Sequence, residues 1–422
     1  MALHSRREFL TTAGTVGVVS IAGCATVDGL LGSEWSSTAD GTTEPLSSEA
    51  AGWPQYGRNT RHTGFVPEIR IDDPSEDWTF TLTGSMAPPA IVGNRVIVHG
   101  GVTSESNGSN GFTGGAVFSL QMDDGSQVWR RDLPSVGGGY SGCPPIIYHG
   151  SVYVGNAAES GIFVLAVRDG SPRWRHETGN SVNEAAVGFQ NKVAISTGDE
   201  LLAFDERGHD QWVYQTGDDR ASFSPPAVGG GYVLYTTGVL GSIVAIDPRE
   251  GSGISEWIYQ SDSNFGTPTV ANERVYVPGS NQIHAVDVAT GEGVWTVEVT
   301  TSSGVATDST RLFVTTAAGD LVAYQATDGT ETWRTPLAAD DGVYLRTRPL
   351  VTEQSVIVTT EKPQLDERVT TYAVDRRTGK IRWTVDQPGN VSFDAVAAGS
   401  RLYVPVYWST DDSGGTLVVL SD

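Results

Sequence analysis

The stretch Ala285-Val286-Asp287-Val288-Ala289-Thr290-Gly291-Glu292-Gly293-Val294-Trp295 decides the fold. Residues 283–288 are mostly apolar and rich in β-branched side chains, as a strand favours. Asp287 can accept backbone N–H groups and Gly291 can take a positive φ, so the run ends in a tight turn. Trp295 then lies on the next strand. Upstream, Pro268-Thr269-Val270 and Arg274-Val275-Tyr276-Val277 read as two more strands joined by the polar pair Asn272-Glu273. The unit therefore holds four strands.

The unit repeats. Ala373-Val374-Asp375-Arg376-Arg377-Thr378-Gly379-Lys380-Ile381-Arg382-Trp383 is a second clear copy. Gly precedes Trp by four residues at Gly125/Trp129, Gly170/Trp174, Gly208/Trp212, Gly253/Trp257, Gly291/Trp295, Gly329/Trp333 and Gly379/Trp383. Those tryptophans recur every 38 residues (Trp174 to Trp212) to 50 residues (Trp333 to Trp383). That is the length of a four-stranded propeller blade, not of a helical repeat. The final repeat, 393–422, has three strands and no Trp strand, whereas Asp77-Trp78-Thr79-Phe80-Thr81-Leu82 is a Trp strand without a repeat. Joining the two gives an eighth blade and leaves no free sheet edge. The expected fold is all-β: an eight-bladed β-propeller of four-stranded antiparallel blades over 77–422, with about 43 residues per blade.

The N-terminus reads as an address. Ser5-Arg6-Arg7-Glu8-Phe9-Leu10 is a twin-arginine signal, and the apolar stretch after it is too short to span a bilayer. Ile21-Ala22-Gly23-Cys24 looks like a lipobox, with Cys24 the lipidated residue. The domain reading is a signal peptide over 1–23, a disordered polar tether over 24–52, a lead-in over 53–76 and the propeller beyond. The location that follows is extracytoplasmic, on a lipid anchor. Deleting everything through Glu76 is expected to leave folding untouched.

The formal charge is −23, and lysine occurs only at Lys192, Lys362 and Lys380. A large acidic excess of this make-up fits life in concentrated salt; a high-GC codon bias towards Arg is the other reading. Either way no basic patch exists to bind nucleic acid. The two cysteines, Cys24 and Cys143, leave the mature domain without an internal disulfide.

The Gly-x-x-x-Trp repeats resemble the tryptophan-docking repeats of the pyrroloquinoline-quinone (PQQ) propeller superfamily, and Trp53-Pro54-Gln55-Tyr56-Gly57-Arg58-Asn59 looks like the lead-in of many members. The resemblance implies that Trp78, Trp129, Trp174, Trp212, Trp257, Trp295, Trp333 and Trp383 dock against neighbouring blades. Two branches bear on function: the quinoprotein alcohol dehydrogenases, and the non-enzymatic (BamB-like) lipoprotein scaffold of outer-membrane protein assembly. The dehydrogenases imply a vicinal Cys pair, and Cys143 stands alone; a haem motif and a zinc cluster are also missing from the sequence. The chain therefore resembles the scaffold more. That branch implies no cofactor, a monomeric propeller, and protein or peptide partners at the cell surface. The alternative is a PQQ- or sugar-type dehydrogenase with PQQ and Ca²⁺ at the channel mouth; a passive surface-layer protein is a third option.

Aligning the blades places Pro88, Pro144, Ala185, Pro225, Thr267, Gly304, Arg348 and Asp394 at equivalent positions before the innermost strands. Glu184, Arg346, Arg348 and Asp394 thus fall near the channel mouth, with Arg348 and Asp394 on adjacent blades. Their readings are an inter-blade ion pair, a ligand site, or a catalytic acid or base. The Gly-rich segments 109–115 and 137–140 lack a following helix and make weak phosphate cradles. Asp123-Asp124 and Asp411-Asp412 read as solvated turns rather than metal sites.

Overall fold

The computed structural model describes residues 52–422 except 104–111, 134–142, 157–160, 183, 198–199, 216–223, 238–240, 250–254, 302, 339–342, 363–367 and 409–413. Arg6, Arg7, Cys24, the tether to residue 51, Gly253, the 137–140 segment and Asp411-Asp412 lie outside the described residues. Among those described, every regular element is a strand, and eight sheets of antiparallel strands form an eight-bladed propeller, with blades 1–7 opening at Ala90, Ile146, Val187, Ala227, Thr269, Ala306 and Leu350 and blade 8 at Val391.

Blade 5 shows how the repeat builds a sheet. Thr269–Ala271, Arg274–Pro278, Gln282–Asp287 and Gly293–Glu298 run from axis to rim. Asn272 and Glu273 join the first two with φ of 49° and 59°, the doubly left-handed geometry of a two-residue hairpin turn. The Asp287 carboxylate accepts the N–H groups of Ala289 and Thr290 at 3.0 and 2.9 Å, and Gly291, at φ 72°, closes the next turn. A bulge follows between Ala285 and Val286, where Ala285 pairs with Trp295. Equivalent bulges occur beside the Trp strand of every blade.

The second and third strands of each blade are buried along their length, because alternate side chains enter the seams on either side. Ile97 joins the seam with blade 2, while Val96 and Val98 join the seam with blade 8. The rim strands alternate instead, as in Gly293–Glu298. The hydrophobic core is therefore a ring of inter-blade seams.

Blade 8 draws on both ends of the propeller. Ser75–Leu82, two residues longer than expected, lies antiparallel to Gly415–Ser421, from Ser75↔Ser421 to Leu82↔Gly415. The Asp422 carboxylate accepts the N–H groups of Asp72 and Asp73 at 2.8 and 3.0 Å, much as Asp287 closes its own turn. The innermost strand of this blade is split into Val391–Ser392 and Val396–Ala398, both paired with Arg401–Tyr407.

The tryptophans bridge seams. The ring of Trp257 covers Gly291 so closely that a Cβ there would stand 2.7 Å from it, and its indole N–H donates to the Val288 carbonyl at 3.1 Å. Trp78, Trp129, Trp174 and Trp333 reach the Met122, Val167, Glu206 and Arg376 carbonyls in the same way. Trp383 donates to Ile71 at 2.8 Å. Trp295 covers Gly329, but the equivalent Ala326 carbonyl is taken by Arg274 and Tyr276. Trp212 is buried in the seam between blades 3 and 4.

Candidate functional site at the propeller axis

The lead-in is not a passive approach to the propeller. It winds round the axis and meets the free edge of one innermost strand after another. Trp53 exchanges two backbone hydrogen bonds of 2.9 Å with Ile91 of blade 1, and Pro54 accepts from Ile147 of blade 2 at 2.6 Å. The Gln55 side chain pairs with both backbone groups of Gly188 in blade 3, at 3.0 and 3.2 Å. Thr60, Arg61 and Thr63 accept from Val228, Val270 and Thr307 of blades 4, 5 and 6 at 2.6, 2.9 and 2.9 Å. Gly64 accepts from Val351 at 2.8 Å, and Phe65–Val66 adds a parallel strand to blade 7. The expectation that removal through Glu76 is silent took no account of these contacts: this segment satisfies inner-strand amides of seven blades.

Between Gln55 and Thr60 the chain turns from blade 3 to blade 4, the Arg58 N–H donating to the Gln55 carbonyl at 2.9 Å, with φ of 57° at Gly57 and 79° at Arg58. Tyr56 is carried into the centre. Its hydroxyl lies in hydrogen-bonding reach of Thr267 and Asp394, and the Arg348 guanidinium stands 5.6 Å from its ring centroid. Burial holds the phenol protonated well above its usual range. His62 is edge-on to Tyr56, its Nδ1 3.1 Å from the Pro268 carbonyl. Burial, and then the Arg348 charge, push its pKa down to about 3, so the ring is neutral.

The four charged candidates separate here. Arg348 and Asp394 do meet, but through the backbone: the Arg348 N–H donates to Asp394 Oδ1 at 2.7 Å. The Arg348 guanidinium, 5% exposed, turns inward to the His62 carbonyl, Thr269 Oγ1 at 3.0 Å and the Val305 carbonyl at 2.7 Å. Asp394 is raised above the usual carboxylate range by burial. Glu184 lies close enough to Tyr56 to act on its charge, and burial raises its own pKa to about 7. Arg346 is not part of this group. It is exposed, 3.7 Å from Glu361 and 4.7 Å from the Tyr344 ring centroid.

Cys143 has a place in a second, polar ring. The fifth residue of each second strand faces the next blade, and several of these reach a carbonyl there: His99 to Cys143 at 2.8 Å, Ser196 to Ser224 at 3.0 Å, Thr236 to Gly266 at 2.8 Å and Thr315 to Thr347 at 3.3 Å. Blade 2 has Gly155 at this position. Cys143 itself makes the link, its thiol donating to the Glu184 carbonyl at 2.9 Å. Burial pushes the thiol pKa up to about 12, which removes nucleophilic character.

Beside Tyr56, Arg348 and Asp394 lies a cavity of about 20 Å³, the size of one water molecule.

A family model described as outer membrane protein assembly factor BamB matches residues 66–297 and 279–421. The chain belongs to this family. BamB of Burkholderia pseudomallei is 26% identical over 291 residues, covering 63% of this chain and 70% of that protein. The crystal structure of BamB from Moraxella catarrhalis superposes with a TM-score of 0.61 at 19% identity, covering 83% of this chain and 98% of that one. Quinohemoprotein alcohol dehydrogenase from Comamonas testosteroni gives 0.66 at 14% identity, over 89% and 81%. At these identities the two structures speak for the shared propeller alone.

A quinone cofactor does not fit the cavity beside Tyr56, Arg348 and Asp394. Sites for ligands of drug size enclose roughly 300–1,000 Å³, far more than the cavity beside Tyr56; the space of about 290 Å³ that Pro54, Gln55, Arg58, Asn59 and Thr60 leave against Ile147 and Tyr148 is an open groove away from Arg348 and Asp394. The lone Cys143 is committed to a carbonyl, and the described residues hold no group of three His, Cys, Asp or Glu side chains able to hold a metal ion. Glu184, Arg348 and Asp394 surround Tyr56 at the axis, and no spacing in the sequence signals that Tyr56 and His62 join them.

Proposed function

We propose that this BamB-family chain is an exported lipoprotein, anchored through Cys24, whose propeller is a scaffold for protein partners outside the cytoplasm. The observation that carries the reading is the filled axis. A propeller whose centre is occupied by its own Tyr56, His62 and Arg348 leaves its faces for recognition. The face where each rim strand crosses to the next blade presents the exposed pair Tyr344 and Arg346 before blade 7. An aromatic ring with a stacked guanidinium is a composition favoured at protein contacts. Membership of an outer-membrane assembly family supports the same reading.

Two measurements test it. Cys24→Ser should release the protein into the medium or leave it unprocessed; unchanged membrane retention would refute the anchor. Capture from membranes in high salt should enrich a defined partner with wild type and not with Tyr344→Ala/Arg346→Glu. Enrichment of nothing over beads, together with dye-linked alcohol oxidation after loading with PQQ and Ca²⁺, would replace the scaffold by an enzyme.

A further inference from the structure

We propose that the inner edges of blades 1–7 form a peptide-binding site, and that segment 53–65 is its ligand, held in place by its own contacts rather than by its covalent connection. The seven N–H groups it satisfies belong to structurally equivalent residues, one at the same position of each inner strand, all directed at the axis. Such a ring is a strand-edge site closed on itself, and its natural occupant is a chain that supplies acceptor oxygens in order.

Segment 53–65 is shaped for that ring and for little else. Its oxygens are spaced unevenly, with one pair at Trp53 and Pro54, one side-chain amide at Gln55, and then Thr60 to Gly64. The intervening residues make a turn that drops Tyr56 onto the axis. Two glycines permit the approach. A Cβ on Gly57 would stand 2.6 Å from Arg348 Nη1, and one on Gly64 would stand 3.1 Å from the Pro349 carbonyl oxygen. Trp53 is buried against blade 1, and Arg348 grips the His62 carbonyl from the far side. Downstream, Pro67 and Glu68 are exposed. The ligand class is accordingly a peptide with an aromatic residue at either side of Gln55 and glycine at the two close approaches.

The test cuts the connection and leaves the chain folded. A protease site inserted after Pro67 is cleaved in the native protein, which is then diluted and passed through a sizing column. A fluorescent peptide of residues 50–67 is added in excess to a second aliquot, and its anisotropy is followed. Co-elution of the N-terminal fragment ending at Pro67 with the propeller, or entry of labelled peptide in its place at one per propeller, supports the site. A labelled peptide carrying Trp53→Ala and Gly64→Val should then lose occupancy by at least about tenfold, since both burial and close approach are removed. Departure of the fragment without entry of the peptide, whether or not the propeller stays folded, overturns the proposal.

Discussion

Glu184 and Asp394 are carboxylates held where charge is unfavourable, and the consequence is a stability that depends on pH. A carboxyl whose folded pKa lies above its unfolded value stabilises the fold most at low pH. For Glu184, raised to about 7 by burial, that contribution is complete below the ordinary Glu range and is lost as pH climbs to about 7. Glu184→Gln removes the titration while keeping the shape. Denaturant midpoints for wild type and variant, measured at pH 4.5 and pH 8 in the same high salt, should show the variant gaining on wild type at the higher pH. A constant difference would mean that Glu184 titrates normally. Aligning the blades on their second strands was enough to put Glu184, Arg348 and Asp394 together. It misplaced Arg346, because two residues apart implies one face only in an extended strand, and the chain bends at Thr347. Tyr56 and His62 were invisible at this scale, since no spacing links a residue before the first blade to the start of the eighth.

The turn between the third and fourth strands carries the densest code, and one glycine in it answers to two constraints. Gly291 needs a positive φ for its own turn and the absence of a Cβ for the Trp257 ring of the preceding blade. Gly231, at φ 91° with open space around its missing Cβ, meets only the first. Gly231→Ala should therefore cost about 1–2 kcal/mol, the backbone penalty alone. Gly291→Ala should cost more, because the ring must move as well, and the excess should shrink when Trp257 is also replaced by Leu. Chemical denaturation of the three variants and the double variant checks this. Equal losses at the two glycines would show that the Trp–Gly contact contributes nothing. This element was readable because its signal is local: Asp, Gly and Trp at fixed spacing. The ring of Ser, Thr and Cys143 links was not, because each member is an ordinary polar residue whose partner lies on another blade.

At the scale of the whole molecule the eight-bladed count follows from the repeat, while the lead-in shows what a repeat count omits. Truncation after residue 51 should leave the melting temperature unchanged, whereas truncation after Val66 should lower it severely. The second removes oxygens from seven buried N–H groups, each worth about 1 kcal/mol or more, and a buried Trp53, worth about 3–5 kcal/mol. Matched melting of the two truncations would mean that the axial contacts are idle. Charge acts at the same scale. With a formal charge of −23, the screening length falls from about 10 Å at 0.1 M salt to about 3 Å at 1 M. The melting temperature should rise across that range, and a flat profile would remove the case for adaptation to salt.

The axial segment also fixes an order in time. Residues 53–65 leave the ribosome before any of their partners, which are scattered from Ile91 to Val351, and the strand Ser75–Leu82 waits for Gly415–Ser421. Trp53 and Pro54 can meet Ile91 and Ile147 early, but neither segment is complete until the later blades are made. The nascent protein therefore passes through an interval with the axial segment and the strand Ser75–Leu82 short of their last partners and its growing row of blades open at both edges. The last step of folding for this chain therefore waits on the last residues to be synthesised.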